Sequence, residues 1–226
     1  MSRKVQYFPE VFEVEDLQSA KAIILTNEGP GADTATRWEL ETPYVTSLIA
    51  QHLNLEPGTL LLDYGCGIGR LARPLIEQFG CHVIGVDISA SMRALAPTYF
   101  NDERFSIVSP PQFDALVAKG LRVDAAISVW VLQHCFEPAQ DVTRMRRGLR
   151  PEGKAFVLNM RQRAVPAVDA AQSALQFQWV SDGQDVFGIL RESFAVEAEG
   201  EVEPDAAPNM ADAGCFWMRL VRGPSA

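Results

Sequence analysis

The chain lacks a basic excess, paired cysteines and any long apolar run, and each shortage closes off a class of function. Its 20 Lys and Arg are outnumbered by 29 Asp and Glu, for a net charge of −9. Binding along a phosphate backbone depends on cations that displace counterions, so no nucleic-acid partner is expected. The arginines at 144, 146, 147 and 150 fall at helical spacing around Met145 and Leu149 and read as a solvated outer face. Cys66, Cys81, Cys135 and Cys215 form no C-x-x-C pair, which removes zinc knuckles and dithiol motifs and leaves no metal site to expect. They read as reduced, mostly buried thiols. No stretch approaches the roughly 18 apolar residues of a membrane span. The segment from Met1 to Glu10 lacks the apolar core of a signal peptide, so the expectation is a cytoplasmic protein without membrane contact. Repeats and low-complexity tracts are also missing.

What is present is an ordinary globular composition, 47% hydrophobic and 22% charged in 226 residues, enough to bury about 70% of the unfolded surface. From Pro57 onward, short apolar runs alternate with longer amphipathic ones, the pattern of βαβ units. Strands are predicted near 59–63, 82–87, 104–108, 123–129 and 154–160, and helices near 69–79, 89–99, 112–119 and 138–149. Gly80 serves as a helix stop, Ser89 as an N-cap, and Pro138 suits a first helical turn. Residues 11–26 and 36–53 carry helical periodicity, broken by Gly29-Pro30-Gly31, a hinge or a plain connection. Two alternating runs, 194–198 and 216–221, predict a final hairpin, with an acidic loop over 200–208.

The most informative stretch runs from Leu60 to Gly69. An apolar strand enters Asp63-Tyr64-Gly65-Cys66-Gly67-Ile68-Gly69, where glycines at every second residue allow a ligand close to the main chain and the following helix offers free N–H groups. The spacing differs from the dinucleotide G-x-G-x-x-G, which disfavours a nicotinamide-dependent dehydrogenase. His82-Val83-Ile84-Gly85-Val86-Asp87 is a second strand ending in an acid, about 20 residues on, where an α/β nucleotide site places an acceptor for ribose hydroxyls.

Asp63 to Gly69 together with Asp87 resembles the class I S-adenosylmethionine-dependent methyltransferases. Asp124 to His134 looks like that family's fourth strand and its loop, and Leu149-Arg150-Pro151-Glu152-Gly153-Lys154 like the turn before its fifth. The resemblance covers roughly residues 58 to 160. It implies an α/β, Rossmann-like, mainly parallel seven-stranded sheet with helices on both faces and an antiparallel C-terminal strand. Residues 57–226 would form that domain and residues 1–56 an N-terminal helical cap.

By motif position the resemblance implies that Asp63, Gly65, Cys66 and Gly67 receive the amino-acid part of S-adenosyl-L-methionine, with S-adenosyl-L-homocysteine as product. Asp87 would take the ribose and Ile88 a face of adenine, and Val129 and Trp130, at the end of the fourth strand, would be further donor-binding residues. Arg70 is a partner for the donor carboxylate or an exposed helix arginine. The family's usual Asp after the third strand is replaced here by Ser109-Pro110-Pro111-Gln112-Phe113. Gln112 or Ser109 would supply the polar contact and Phe113 a ring face, or Asp114 would reach in. His134 is the general-base candidate because imidazole titrates near neutrality, with a structural histidine as the rival reading. Trp38, Tyr44, Arg161, Arg163 and Trp179 are the candidate contacts of a small-molecule acceptor methylated at O, N or C. The alternative is a donor-binding sensor or partner subunit without catalysis.

Overall fold

The structure, a computed structural model, describes residues 5–28, 32–169, 177–202 and 214–223. Gly29-Pro30-Gly31 and most of the 200–208 loop lie outside them. Among the described residues no helix is long and apolar enough to cross a membrane.

The central sheet has seven strands: β2 (Leu60–Tyr64), β3 (His82–Val86), β4 (Phe105–Val108), β5 (Val123–Val129), β6 (Leu149–Met160), β9 (Ala195–Glu201) and β10 (Cys215–Val221), in the order β4-β3-β2-β5-β6-β10-β9. The first five run parallel, and β10 pairs antiparallel with both β6 and β9. The chain steps from β2 outward through β3 to β4 and then returns to the other side of β2 as β5. That reversal opens a crevice at the carboxyl ends of β2 and β5, where a ligand fits an open α/β sheet.

The continuous apolar runs of the strands follow from burial on both faces. Leu61, Ile127, Phe156 and Leu158 meet α2 (Thr34–His52) and α3 (Ala72–Phe79) on one side. Leu62, Ala126, Ala155 and Val157 meet α5 (Pro110–Ala118), α6 (Pro138–Gly148) and α7 (Val186–Ser193) on the other. α4 (Ala90–Tyr99) begins at Ser89, whose hydroxyl accepts from the Met92 N–H, and α3 ends at Gly80 in the left-handed region.

The expected first helix is divided into a 3-10 turn (Pro9–Phe12) and α1 (Leu17–Ile24), which Asp16 caps through Ser19. Residues 1–56 also contribute a strand. β1 (Val5–Tyr7), β7 (Val165–Asp169) and β8 (Phe177–Val180) form a separate antiparallel sheet in the order β1-β7-β8. It unites the start of the chain with the segment after β6. The Ser109-Pro110-Pro111 stretch is a helix start, with Ser109 as N-cap and Pro110 in the first turn, where a missing N–H costs nothing.

Gly148 at the end of α6 lies against the fully buried Phe113 of α5, and a Cβ there would sit 2.6 Å from Phe113 Cζ. Gly148→Ala should therefore destabilise the fold by about 1–3 kcal/mol despite alanine's better helix propensity, read as a lower urea midpoint with an unchanged slope.

Candidate active site

A cavity of about 940 Å³ opens over the carboxyl ends of the strands, and Asp63, Gly65, Cys66, Gly67, Asp87, Ile88, Val129, Trp130, His134 and Trp179 all line it. Strand ends far apart in sequence bring these groups together.

Asp63 is the last residue but one of β2 and is held between Gly85 of β3 and Ile127 of β5. It is 3% exposed, and its Oδ2 has no hydrogen-bond partner. Burial pushes its pKa up to about 7, against a smaller opposing pull from the Arg70 guanidinium. Asp87 has the opposite surroundings. Its Oδ2 accepts the Gly67 N–H at 2.7 Å and its Oδ1 the Ser89 N–H at 2.9 Å. Burial still raises its pKa, with these two N–H groups working against the rise. The Asp87 carboxylate thereby pins the glycine turn to the end of β3.

The turn needs its glycines. Gly65 has φ +78°, and a Cβ there would fall 2.2 Å from Val131 Cγ2. Gly67 has φ +55°, and its missing side chain leaves room for Ile24. Cys66 is buried beneath the turn, with its thiol pushed well up in pKa chiefly by burial and then by Asp87.

Trp130 follows β5 in the left-handed region at φ +58°, an uncommon conformation for a large side chain. Its N–H donates to Leu158 O at 2.8 Å, and its ring faces the guanidiniums of Arg70 and Arg37, 5.1 and 6.0 Å from its centroid. Arg70 is not an exposed helix residue. Burial lowers its pKa to about 10, opposed by Glu41 and Asp63. Arg37 holds Glu41 through two nitrogens and also reaches Glu28 and Thr26 O.

His134 is half-buried, and burial lowers its pKa below the ordinary 6.5. Its Nδ1 lies 2.6 Å from Ala164 O. A carbonyl only accepts, so Nδ1 carries the proton and Nε2 the lone pair. The Gln133 amide lies 3.2 Å from Nε2, and its nitrogen can donate to that lone pair. The rings of Phe12 and Trp179 stand 5.9 and 5.0 Å from the imidazole.

Several expectations are corrected. Phe113 is fully buried in the core and offers no face to the cavity. The Gln112 side chain turns back to accept the Ser109 N–H at 2.8 Å. Asp114 is taken by Arg144 Nε at 3.0 Å. Trp38 packs edge-on to Tyr99 beside α1, and Tyr44 packs on the α2 side of the core; neither lines the cavity. Arg161 is exposed, pairs with Glu201 and lies over the Phe187 and Phe216 rings. Arg163 is buried, and its guanidinium is used on Asp182, Leu132 O and Cys135 O. Among the four arginines read as an outer face, Arg144 points inward instead, donating to Tyr64 Oη and Asp141 at 2.9 Å on the cavity wall.

Sequence reasoning missed Arg37, the Tyr64-Asp141-Arg144 group and the rings of Tyr7, Phe12 and Phe136, all on the cavity wall. The clustering of Tyr7, Phe8 and Phe12 ahead of the first helix was the available signal for the rings. Among the described residues the lining has five carboxylates against three arginines and no lysine.

Asp63 links the site to stability. Its folded pKa exceeds its unfolded value, so it contributes stability that is complete at low pH and lost as pH rises through about 7. Asp63→Asn should raise the melting temperature at pH 8, by the equivalent of about 1–3 kcal/mol, and much less at pH 5, in parallel thermal melts.

A family model described as a methyltransferase domain matches residues 62–157. Phosphoethanolamine N-methyltransferase 2 of Caenorhabditis elegans is 33% identical over 112 residues, covering 49% of this chain and 26% of that protein. Ubiquinone biosynthesis O-methyltransferase of Chelativorans sp. (strain BNC1) is 26% identical over 157 residues, covering 65% and 61%. The chain thus spans less than two thirds of the length of the curated relatives it matches. The structure of Haemonchus contortus phosphoethanolamine N-methyltransferase 2 in complex with S-adenosyl-L-methionine aligns with a TM-score of 0.61 at 16% identity, covering 99% of this chain and 62% of that one, which supports the fold. With the glycine turn, its two acids and the strand order in agreement, residues 62–157 carry a methyltransferase domain of the class I S-adenosylmethionine-dependent kind.

Proposed function

We propose that this protein transfers a methyl group from S-adenosylmethionine to a small-molecule acceptor at oxygen, nitrogen or carbon. One observation carries the reading: a buried carboxyl, Asp63, with an unpartnered oxygen beside a glycine turn at the reversal of the sheet. A carboxylate so placed lacks only a cation, and the ammonium of the donor's amino-acid part supplies one.

The other lining groups fit the remaining parts of the donor. Each Asp87 oxygen uses one acceptor position on a main-chain N–H and keeps capacity for ribose hydroxyls. Ile88, 53% exposed, presents an apolar face to a flat base, and the Gly65 to Gly67 main chain admits the amino-acid part. When bound, the donor supplies a methyl group activated on a positively charged sulfur. The protein's tasks are to orient the two reactants, keep water out and accept a proton. Val129 and Trp130 wall the crevice between donor and acceptor. His134 is neutral near pH 7, with Nε2 available as a base once an acceptor proton replaces the Gln133 amide. Relatives named for phosphoethanolamine N-methylation and for O-methylation in ubiquinone biosynthesis support a small acceptor without choosing the atom.

Calorimetry with the donor and its demethylated product tests this. Asp63→Ala and Asp87→Ala, folded by circular dichroism, should each weaken binding by about tenfold or more; undiminished binding in both would sink the proposal. Because Asp63 ionises near 7 in the empty site, affinity should rise between about pH 6 and 8 with release of a proton, seen as a buffer-dependent enthalpy. His134→Ala should keep donor affinity within about twofold and lose turnover. Wild-type kcat should fall on acidification only below about pH 6.5, as the imidazole takes its proton.

A further inference from the structure

The rings beside His134 come from chain segments that the methyltransferase family model does not match. Phe12 belongs to the 3-10 turn and Trp179 to β8, both outside residues 62–157. With the imidazole they form a triangle: Phe12 to Trp179 is 6.2 Å, Phe12 to His134 5.9 Å and Trp179 to His134 5.0 Å between centroids. Trp179 remains 42% exposed although all three rings line the cavity. Much of an indole therefore faces open volume next to the Nε2 lone pair.

The electrostatics narrow what fits there. A phosphate needs cationic donors, and the guanidinium whose charge reaches His134, that of Arg163, spends its nitrogens on Asp182, Leu132 O and Cys135 O. Elsewhere on the wall Arg37 is tied to Glu28 and Glu41, Arg144 to Asp114 and Asp141, and Arg70 stands against Trp130 on the Asp63 side of the cavity, in the field of Glu41 and Asp63. A protonated amine is drawn by the carboxylate excess of the wall as a whole, but beside His134 the charge that acts is the positive one of Arg163. A flat uncharged ring gains from both aromatic faces. A hydroxyl on that ring can give Nε2 the proton that Gln133 now supplies at 3.2 Å.

We propose that the acceptor is an uncharged aromatic alcohol, a phenol, packed against Phe12 and Trp179 with its hydroxyl directed at His134 Nε2. The proposal rests on the donor reading above and narrows its target atom to oxygen. The balance is simple. The phenol oxygen forms the new C–O bond, its proton passes to His134 Nε2, and the electron pair of the broken S–C bond stays on sulfur, which becomes a neutral thioether. Phenols ordinarily ionise near pH ~10, so a base is required near neutrality, and the Arg163 charge favours the oxygen as it becomes anionic.

The test uses the full chain and three probes: 2,3-dihydroxynaphthalene, phosphoethanolamine and hexylamine, each titrated with and without the demethylated donor product. The naphthalenediol should bind and quench tryptophan fluorescence, while the other two should not bind. Phe12→Ala and Trp179→Ala should each weaken the diol by about tenfold, Trp179→Phe should recover most of the loss, and the donor product should bind all variants within about twofold of wild type. Tighter binding of phosphoethanolamine or hexylamine than of the diol, or an unchanged diol affinity in Trp179→Ala, overturns the inference. Donor binding without diol binding removes this inference alone. Diol binding without donor binding removes the donor reading and leaves the phenol pocket standing.

Discussion

A carboxyl group sealed at the end of β2, with one oxygen lacking any partner, is the constraint around which the cavity is arranged. The second carboxyl, on the next strand, solves its burial differently. Asp87 is satisfied by two main-chain N–H groups and is part of the scaffold, because the same bond that stabilises it closes the glycine turn. Asp63 has an oxygen with no such donor, and burial, with the Asp87 charge adding to it and Arg70 opposing, raises it toward neutrality. Two acids one strand apart thus differ in role because their environments differ, one holding the turn and the other left to a ligand.

The two groups of residues that line the cavity have separate origins in the chain. Asp63, the glycine turn and Asp87 lie inside the segment that matches the family model, on rigid strand ends. Tyr7, Phe12 and Trp179 come from a small antiparallel sheet and its adjoining turn, outside that segment. Such a division lets the strand-end groups stay constant while the rings outside that segment change without disturbing them.

The sequence made the central sheet legible because its strands are buried on both faces and read as continuous apolar runs, as Leu60 to Leu62 and Ala125 to Val129 do. Asp63, the glycine turn and Asp87 were legible because they sit at strand ends marked by glycine and acid. The small sheet was not. β1 is three residues long and its partner β7 lies far away in the sequence, so that pairing rests on tertiary contacts that local periodicity cannot record. Phe113 and Arg163 were misplaced because residue type suggested a ring face for the first and chain position an acceptor contact for the second. Helical register turns Phe113 into the core beneath Gly148, and the carbonyls of the loop after β5 absorb Arg163. Arg70 and Arg144 looked exposed by type and are drawn inward by Trp130 and by Tyr64 with Asp141.

The left-handed Trp130 and the glycine at 65 belong to a single packing solution. Val131, the next residue, occupies the space that a side chain at Gly65 would need, so the loop after β5 lies directly on the turn after β2. Bringing the two that close obliges the loop to bend sharply at Trp130. The unfavourable dihedral is offset by its N–H bond to Leu158 and by guanidiniums facing the indole. Those guanidiniums, on Arg37 and Arg70, are themselves tolerable in the interior because Glu41 stands between them electrostatically, bonded to the first and felt by the second. The chain of dependence therefore runs from Glu41 on α2 through two arginines to the backbone at Trp130, and from Val131 to the glycine turn. It makes α2 part of what sets the width of the crevice.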